Sequence, residues 1–196
     1  MTVTAVTRIG SVSRWQPNAR GRLRQAAFEL YGEHGFDQTT VAQIAERAGL
    51  TERTFYRHFT DKREVVFSGE VQRVLVSTLA DSPTGMTAME AVTAALNAAG
   101  AVLDERRELT RRRQAVIAAN PRLQQREQMK YATLAADMAE ALRGRGVEPS
   151  SAQLAADAGV AVFRAAFERW IDEHEHRDFD RLVRATLDEL AAVISG

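Results

Sequence analysis

Two short segments with helical apolar spacing, joined by a three-residue turn that begins with a glycine, constrain the fold of this chain most strongly. After Thr40, apolar residues follow the i, i+3, i+4, i+7 spacing of one helix face, and Gln43 completes a capping box with Thr40. Gly49 ends this helix, because glycine adopts the left-handed backbone of a helix terminus without strain. A second short helix follows, with Phe55 and Phe59 four residues apart on one side. The spacing predicts a helix-turn-helix, which leaves one face of its second helix free.

The other segments of the chain are also helical by pattern, and none alternates like a strand. A first helix begins at Asn18 and ends near Gly32 and Gly35, and a fourth begins near Asp61 and continues to Pro83. Five further helices are predicted over residues 86–104, 107–119, 121–143, 150–173 and 178–195. We therefore predict an all-α fold of about nine helices, in which the fourth helix joins two domains.

Three regions follow from this segmentation. Residues 1–17 carry two arginines and little apolar periodicity, and they predict a flexible basic arm. Residues 18–63 predict a three-helix domain that contains the helix-turn-helix, and residues 64–196 predict a larger helical domain. The net charge of zero divides unevenly, since residues 1–63 carry ten Lys or Arg against six Asp or Glu and the rest carries sixteen against twenty. The basic excess of the N-terminal part favours attraction to phosphates.

Composition excludes several classes of function. Of the 196 residues, 45% are hydrophobic and 27% charged, as in soluble globular proteins. The chain has no cysteine, which excludes disulfides, thiolate zinc sites and a cysteine nucleophile. No run approaches the roughly 18 apolar residues of a membrane span, and the start of the chain lacks the apolar segment of a secretion signal. We therefore predict a cytoplasmic protein with no membrane partner.

The second helix of the motif carries side chains suited to reading base edges. With the two phenylalanines turned inward, the first residues of this helix are placed to enter a major groove. Arg53 can donate two hydrogen bonds to guanine, a contact that discriminates by roughly 1–3 kcal/mol. Thr54 can contact a thymine methyl group, and Glu52 can accept from cytosine.

Other polar side chains suit the phosphate backbone. Tyr56, Arg57 and His58 follow along the same helix. Thr40 offers a hydroxyl at a helix start, and Lys62 repeats this arrangement at the start of the fourth helix. For each of these residues the alternative is a helix cap or a solvated face, so the set carries more weight than its members.

These residues carry a family resemblance. Residues 33–66, EHGFDQTTVAQIAERAGLTERTFYRHFTDKREVV, closely resemble the DNA-binding motif of the TetR family of repressors. The resemblance covers about residues 20–70, and its most specific elements are Gly35-Phe36, Thr39-Thr40, Ile44-Ala45, Ala48-Gly49, Thr54-Phe55-Tyr56-Arg57-His58-Phe59 and Lys62. It implies a dimeric regulator of transcription, most often a repressor, that binds double-stranded operator DNA.

The resemblance also implies roles for single residues. The implied phosphate contacts are Thr40, Tyr56, His58 and Lys62. The residues from Thr51 to Thr54, together with Arg57, are implied to lie near bases, and Phe55 and Phe59 to hold the small domain together.

The last two helices are apolar over much of their circumference, which is typical of helices buried on two sides. Such helices can be covered by the core and by a second subunit, and proteins of the TetR family dimerise through this pair. We predict a homodimer with a four-helix interface formed by Phe163, Phe167, Trp170, Leu182, Leu187 and Leu190. The alternative is a monomeric bundle with a larger core.

Soft and aromatic side chains in the C-terminal region are candidates for the wall of a ligand pocket. The predicted pocket residues are Met89, Leu96, Asn97, Arg113, Met129, Tyr131, Phe163 and Phe167. Asn97, Arg113 and Tyr131 are the polar members that could orient a small-molecule effector. The alternative for each is an ordinary role in core packing.

A run of arginines at 106–107 and 111–113 could bind an anionic group. An acyl-coenzyme A is therefore a second candidate effector, beside an apolar one. Glu105 and Glu108 lie close enough in sequence to pair with the run, so a solvated helix face is the alternative.

Two rival classes of function remain. An enzyme lacks support, since the chain has no nucleophile motif or glycine-rich phosphate loop, and its histidines are scattered at 34, 58, 174 and 176. We predict no catalytic residues, no metal and no cofactor. A helical ligand-binding or scaffold protein that does not bind DNA is the other rival. The favoured prediction is a repressor that a small molecule releases from its operator.

Overall fold

The computed structural model describes residues 18–67 and 69–196, and the predicted basic arm over 1–17 lies outside them. All regular structure of these described residues is helical, as predicted. The ten helices are α1 (Ala19–His34), α2 (Val41–Arg47), α3 (Glu52–His58), α4 (Lys62–Val66), α5 (Glu70–Asp81), α6 (Ala88–Asp104), α7 (Arg107–Ala118), α8 (Pro121–Gly144), α9 (Pro149–Trp170) and α10 (Phe179–Ser195).

Local capping signals set the boundaries of the N-terminal helices. Thr40 accepts from the Gln43 amide and the Gln43 side chain accepts from the Thr40 amide, so the predicted capping box is present. Gly49 has a φ of 63°, the left-handed geometry that the turn requires. Thr51 caps α3 by accepting from the Thr54 amide at 3.2 Å. The helix-turn-helix therefore forms where the sequence predicted it.

The predicted long fourth helix is wrong: it is divided into α4 and α5, which raises the number of helices from nine to ten. α4 ends at Val66, and Phe67 leaves the helical backbone with φ −108° and ψ 52°. Phe67 packs into the same core as Val65, whereas Leu75 in α5 packs into a different core. A single straight helix would not place Phe67 and Leu75 in these two different cores, so the helix is interrupted between them. Gly69 favours the interruption, because glycine is a poor helix former.

Buried apolar residues form two clusters. The N-terminal cluster takes large side chains from α1 to α4, and the C-terminal cluster combines α5, α6, α8, α9 and α10. Val116, Ile117 and Leu123, at the corner between α7 and α8, also belong to the N-terminal cluster. Asn120 at this corner donates to the Asp37 carboxylate at 3.3 Å. The N-terminal core thus extends past residue 63, the boundary that the sequence predicted.

The helices of the C-terminal cluster pack closely. A Cβ added at Gly159 of α9 would lie 2.6 Å from Val92 of α6, and one at Gly100 of α6 would lie 2.9 Å from the Phe179 ring. Alanines fill much of the remaining contact surface of α6 and α9. None of the ten helices combines the length and apolarity needed to cross a membrane.

Candidate nucleic-acid interface and ligand cavity

Two phenylalanines anchor α3 from behind. Phe55 and Phe59 are almost completely buried, and their ring centroids lie 5.4 Å apart. The Arg20 guanidinium lies over the Phe59 ring, 4.8 Å from its centroid. Because these rings fix one side of α3 in the N-terminal cluster, the opposite side remains at the surface.

The predicted DNA-contacting residues of this segment lie on the exposed side. Thr51, Glu52, Arg53, Tyr56 and Arg57 are exposed, and 56% of the Tyr56 surface is accessible. Thr54 and His58 are half-buried. The Thr51 and Thr54 hydroxyls lie 3.1 Å apart, so one of them is partly committed to the other.

His58 differs from its neighbours. Its Nε2 atom is buried and has no hydrogen-bond partner among the described residues. Desolvation lowers the pKa of His58, and the nearby Arg57 and Arg20 charges lower it further. The imidazole is therefore held toward its neutral form, in which a ring N–H could still donate to a phosphate.

Lys62 already has three partners in the structure. Its Nζ atom donates to the carbonyls of Phe36 at 2.8 Å, Asp37 at 3.1 Å and Thr39 at 2.9 Å. The ammonium also lies over the Phe36 ring, 4.6 Å from the centroid. Its predicted phosphate contact would compete with these bonds. Thr40 is exposed at the start of α2, where its hydroxyl donates to the Gln43 side chain at 3.1 Å.

An ion pair and a long-range hydrogen bond hold α2 against α1. Arg47 pairs with Glu33 through two hydrogen bonds of 2.9 and 2.8 Å, and this contact lowers the pKa of the Glu33 carboxyl. Arg22 of α1 donates to the Ala48 carbonyl at the end of α2. The position of α3 is therefore fixed through α2 as well as through its own phenylalanines.

A cavity of about 110 Å³ lies beneath the N-terminal cluster, among α1 and α5 to α9. Its lining residues are Arg24, Glu70, Val71, Gln72, Val102, Leu103, Arg106, Leu109, Thr110, Arg113, Glu127, Lys130, Tyr131, Leu134, Phe163 and Phe167. The wall therefore combines apolar and aromatic side chains with charged groups of both signs.

Half of the predicted pocket residues line this cavity: Arg113, Tyr131, Phe163 and Phe167. The other half do not, and their prediction is corrected here. Leu96 is fully buried between helices, and Met129 is 66% exposed on the outer side of α8. Met89 and Asn97 lie in a shallow groove on the surface of α6.

Charged pairs organise the polar part of the cavity. Arg113 donates to Glu127 at 2.6 Å and to the Val66 carbonyl at 2.8 Å, so it connects the cavity wall to the end of α4. Glu70 pairs with Arg106 and lies 4.0 Å from a terminal nitrogen of Arg24.

Lys130 has no hydrogen bond or ion pair within the described part of the chain. Burial lowers its pKa to about 8, and the Arg113 charge contributes to the shift. Sequence reasoning missed Lys130 and Glu127, although both share one face of α8 with Tyr131 and Leu134.

The arginine run is committed to contacts within the chain. Arg107 donates to the carbonyls of Trp170 and Arg177, and Arg111 to those of Ile171 and Asp172. These bonds satisfy carbonyls at the end of α9 that a helix terminus leaves free. The run therefore does not form a free anion site, and the structural basis for an acyl-coenzyme A at this position is lost.

Most of the predicted dimer residues lie in the core of the single chain. Trp170 and Leu182 have no exposed surface, and Phe163 and Phe167 are buried beside the cavity. The prediction is corrected for Trp170 and Leu182, because a fully enclosed side chain cannot contact a partner. Phe163 and Phe167 face the cavity, so a role for them in the dimer interface has no support from their position. Leu187 and Leu190 are half-buried, and the exposed apolar residues nearby are Leu154, Val193 and Ile194.

Two sequence models of known families match the chain. Residues 23–68 match the bacterial regulatory proteins of the tetR family. Residues 86–195, more than half of the chain, match the MftR C-terminal domain.

Similar curated proteins are named as transcriptional regulators of the helix-turn-helix type. The transcriptional regulator TcmR of Streptomyces glaucescens is 35% identical over 81 residues, which are 40% of this chain and 36% of TcmR. The transcriptional repressor KstR2 of Mycobacterium tuberculosis is 40% identical over 47 residues, 24% of each chain. The chain thus matches about a third or less of the length of these relatives.

Solved structures share the fold over almost the whole chain. A TetR-family regulator from Syntrophomonas wolfei superposes with a TM-score of 0.65 at 14% identity and covers 91% of this chain and 96% of its own. The complex of SmeT with triclosan superposes with a TM-score of 0.61 at 24% identity, covering 89% and 90%. The all-helical fold with an N-terminal helix-turn-helix is therefore confirmed. The family matches show that the chain belongs to the tetR family of bacterial regulatory proteins.

Proposed function

We propose that the chain is a homodimeric repressor, which binds double-stranded operator DNA in the cytoplasm through α3 and releases it when a small molecule occupies the cavity. The observation that carries the proposal is the presentation of α3. Its polar side chains lie at the surface while Phe55 and Phe59 hold it in a closed core. A DNA-reading helix needs this combination of accessibility and fixed orientation.

The proposed contacts divide into base and phosphate contacts. Arg53 and Thr54 reach base edges from the start of α3, with Thr51 and Glu52 beside them. The proposed phosphate contacts are Thr40, Tyr56, Arg57, His58 and Lys62. Lys62 would exchange one of its carbonyl bonds for such a contact.

The proposed route from the cavity to α3 runs through α4. Arg113 reaches the last carbonyl of α4 with one guanidinium nitrogen and Glu127 with another. At the other end of α4, Lys62 holds the loop that leads into α2. A ligand that draws Arg113 or Glu127 toward itself therefore acts on the last residue of α4, and a shift of this short helix would move Lys62 at its start. It shifts the equilibrium only by its difference in affinity for the two conformations.

The proposed dimer uses the outer faces of α9 and α10. The apolar stripe of α10 continues from the buried Val183 through Leu187 and Leu190 to the exposed Val193 and Ile194. A second subunit would cover the exposed end of the stripe. Replacing Val193 and Ile194 with glutamate is expected to yield monomers by light scattering. A monomeric wild-type chain would contradict the dimer.

The DNA-binding proposal is tested by fluorescence anisotropy with the DNA upstream of the gene, over a range of salt concentrations. Arg53→Ala is expected to weaken binding about tenfold or more, because a good base contact contributes roughly 1–3 kcal/mol. Tyr56→Ala is expected to weaken binding to all DNA sequences alike, because its proposed contact is to a phosphate. Arg143→Ala on α8 is the matched control, since Arg143 pairs with Glu140 away from α3. Absence of salt-sensitive binding by the wild type at low salt would favour the scaffold alternative.

A further inference from the structure

The charges on the cavity wall do not balance. Four cationic residues line the cavity, and only two carboxylates, Glu70 and Glu127, face them. Arg106 and Arg113 take these carboxylates as close partners. The Nε atom of Arg24 is buried without a partner among the described residues, and its contact with Glu70 is long, at 4.0 Å. The wall therefore keeps an excess of positive charge.

Lys130 is the cation with the least compensation. Its ammonium has no ion pair or hydrogen bond in the described ranges, and its desolvation lowers its pKa to about 8. Lys130 is half-buried, so its ammonium borders the cavity and is not fully enclosed. Because the two carboxylates of the wall have closer arginine partners, an anionic ligand in the cavity would find the Lys130 ammonium available for pairing.

The rest of the cavity defines the body of that ligand. Phe163 and Phe167 stack with their centroids 5.8 Å apart, and Leu103 and Leu134 complete an apolar wall. The volume of about 110 Å³ is limited. For comparison, an apolar protein cavity of roughly 150 Å³ holds a benzene molecule. The cavity is smaller than this, so the apolar body of its ligand is no larger than a single ring or a short branched chain.

We propose that the cavity binds a compact apolar monocarboxylate, whose carboxylate pairs with the Lys130 ammonium while its body lies against Phe163 and Phe167. The inference rests on the proposed function, because it names the effector class of the same cavity. It also fits the coupling route, since a carboxylate at Lys130 lies on the same helix as Glu127, the partner of Arg113. A second carboxylate there competes for the guanidinium that holds α4.

The test compares an acid with its neutral isostere on the full chain. Benzoate and benzamide have nearly the same shape and differ in charge, and their binding is measured by calorimetric titration. The wild type is expected to bind benzoate at least tenfold more tightly than benzamide. Lys130→Met is expected to remove this preference while benzamide binding stays unchanged. Lys130→Gln, which also removes the charge, is expected to lose the same preference. Circular dichroism checks that both variants are folded.

Arg126→Gln is the matched control. Arg126 is exposed on the same helix, lies over the Phe67 ring at 5.4 Å and does not line the cavity. It is expected to keep the full preference for benzoate. Equal binding of acid and amide by the wild type would overturn the inference, as would no binding of either. An acid preference that survives in both Lys130 variants, or that disappears in Arg126→Gln, would also overturn it.

Fluorescence anisotropy with the upstream DNA distinguishes failure of the monocarboxylate inference from failure of the proposed function. Salt-sensitive DNA binding that Arg53→Ala weakens supports the regulator whatever the ligand is. If benzamide releases the DNA and benzoate does not, ligand control stands and the monocarboxylate is wrong. If benzoate releases the DNA from the wild type and not from Lys130→Met, both proposals are supported.

Discussion

The two lysines of the chain, Lys62 and Lys130, are both half-buried, but their ammonium groups have different surroundings. Lys62 donates to three carbonyls and lies over a ring, whereas Lys130 has no such partner within the described residues. All other basic side chains among the 26 are arginines. The Lys62 ammonium is therefore satisfied by groups of the chain itself, whereas the Lys130 ammonium has no hydrogen bond or ion pair among the described residues.

The chemistry of the two side chains explains this use. An ammonium is a compact charge with three donors, which suits three converging carbonyls better than a planar guanidinium does. A buried lysine can also lose its proton, whereas an arginine keeps its charge. The comparison teaches that one residue type stabilises a structure when partners surround it and prepares a binding site when they do not.

The largest expected effect concerns the residue that joins the two regions. Arg113→Met removes the ion-pair partner of the largely buried Glu127, which keeps only a long hydrogen bond of 3.5 Å from Gln114. The free energy of unfolding is expected to fall by about 3–5 kcal/mol, because an uncompensated buried charge remains. Urea denaturation measures the change. The double variant Arg113→Met with Glu127→Gln is expected to recover much of the loss, and a loss below about 1 kcal/mol in the single variant would show that the pair is not a strong link.

The second prediction concerns Lys62 in the N-terminal region. Lys62→Met leaves the carbonyls of Phe36, Asp37 and Thr39 without their shared donor. The free energy of unfolding is expected to fall by about 2–3 kcal/mol, since hydrogen bonds to a charged group are lost together. Urea denaturation again gives the value. Lys62→Arg keeps the positive charge and should recover only part of the lost free energy of unfolding. Full recovery would mean that the charge, and not the three-donor geometry of the ammonium, provides the stability.

The same substitution in the cavity region is expected to have the opposite sign. Lys130→Met removes a desolvated charge and extends an apolar wall. Without ligand at pH 7, the free energy of unfolding should rise by about 1–2 kcal/mol. Thermal and urea denaturation measure the gain. A loss of stability would contradict the view that Lys130 is an uncompensated group held for a ligand.

The smallest effect is the pH dependence of that gain. The pKa of Lys130 is lowered to about 8 in the folded chain from an ordinary value of 10.5, so the unfolded chain binds the proton more tightly. The penalty on the wild type is therefore complete below pH 8 and disappears as the pH rises toward 10.5. The charged neighbours Arg113, Glu127 and Arg126 are unchanged in Lys130→Met. Urea denaturation at pH 7, 8.5 and 10 should show the two chains converging, and a constant difference would assign the gain to packing.

Features decided within a few residues could be predicted from the sequence. The Thr40 capping box, the turn at Gly49 and the inward side of Phe55 and Phe59 all depend on short spacings, and the structure confirms them. The break after Val66 could not be predicted, because it depends on which of two cores receives the next side chain.

The cavity and the dimer face were harder for the same reason. Periodicity places Leu96 or Trp170 on an apolar face without saying which of several neighbouring helices covers that face. Phe163 and Tyr131 line the cavity as predicted, but Lys130 was missed because an isolated lysine in a helix is usually solvated. The position of Lys130 at the cavity depends on how the helices pack, which the local sequence does not specify.

The corner between α7 and α8 limits how freely the DNA-reading end of this protein could be exchanged with that of a relative. The N-terminal core includes side chains from this corner, although the corner lies far along the chain from α1. These side chains are Val116, Ile117 and Leu123. A chimera that transplants only residues 18–63 would therefore expose the apolar surface that Val116, Ile117 and Leu123 cover in this chain. An engineer who wishes to redirect this regulator to another operator should either exchange the surface side chains of α3 alone or transplant the corner with the reading end.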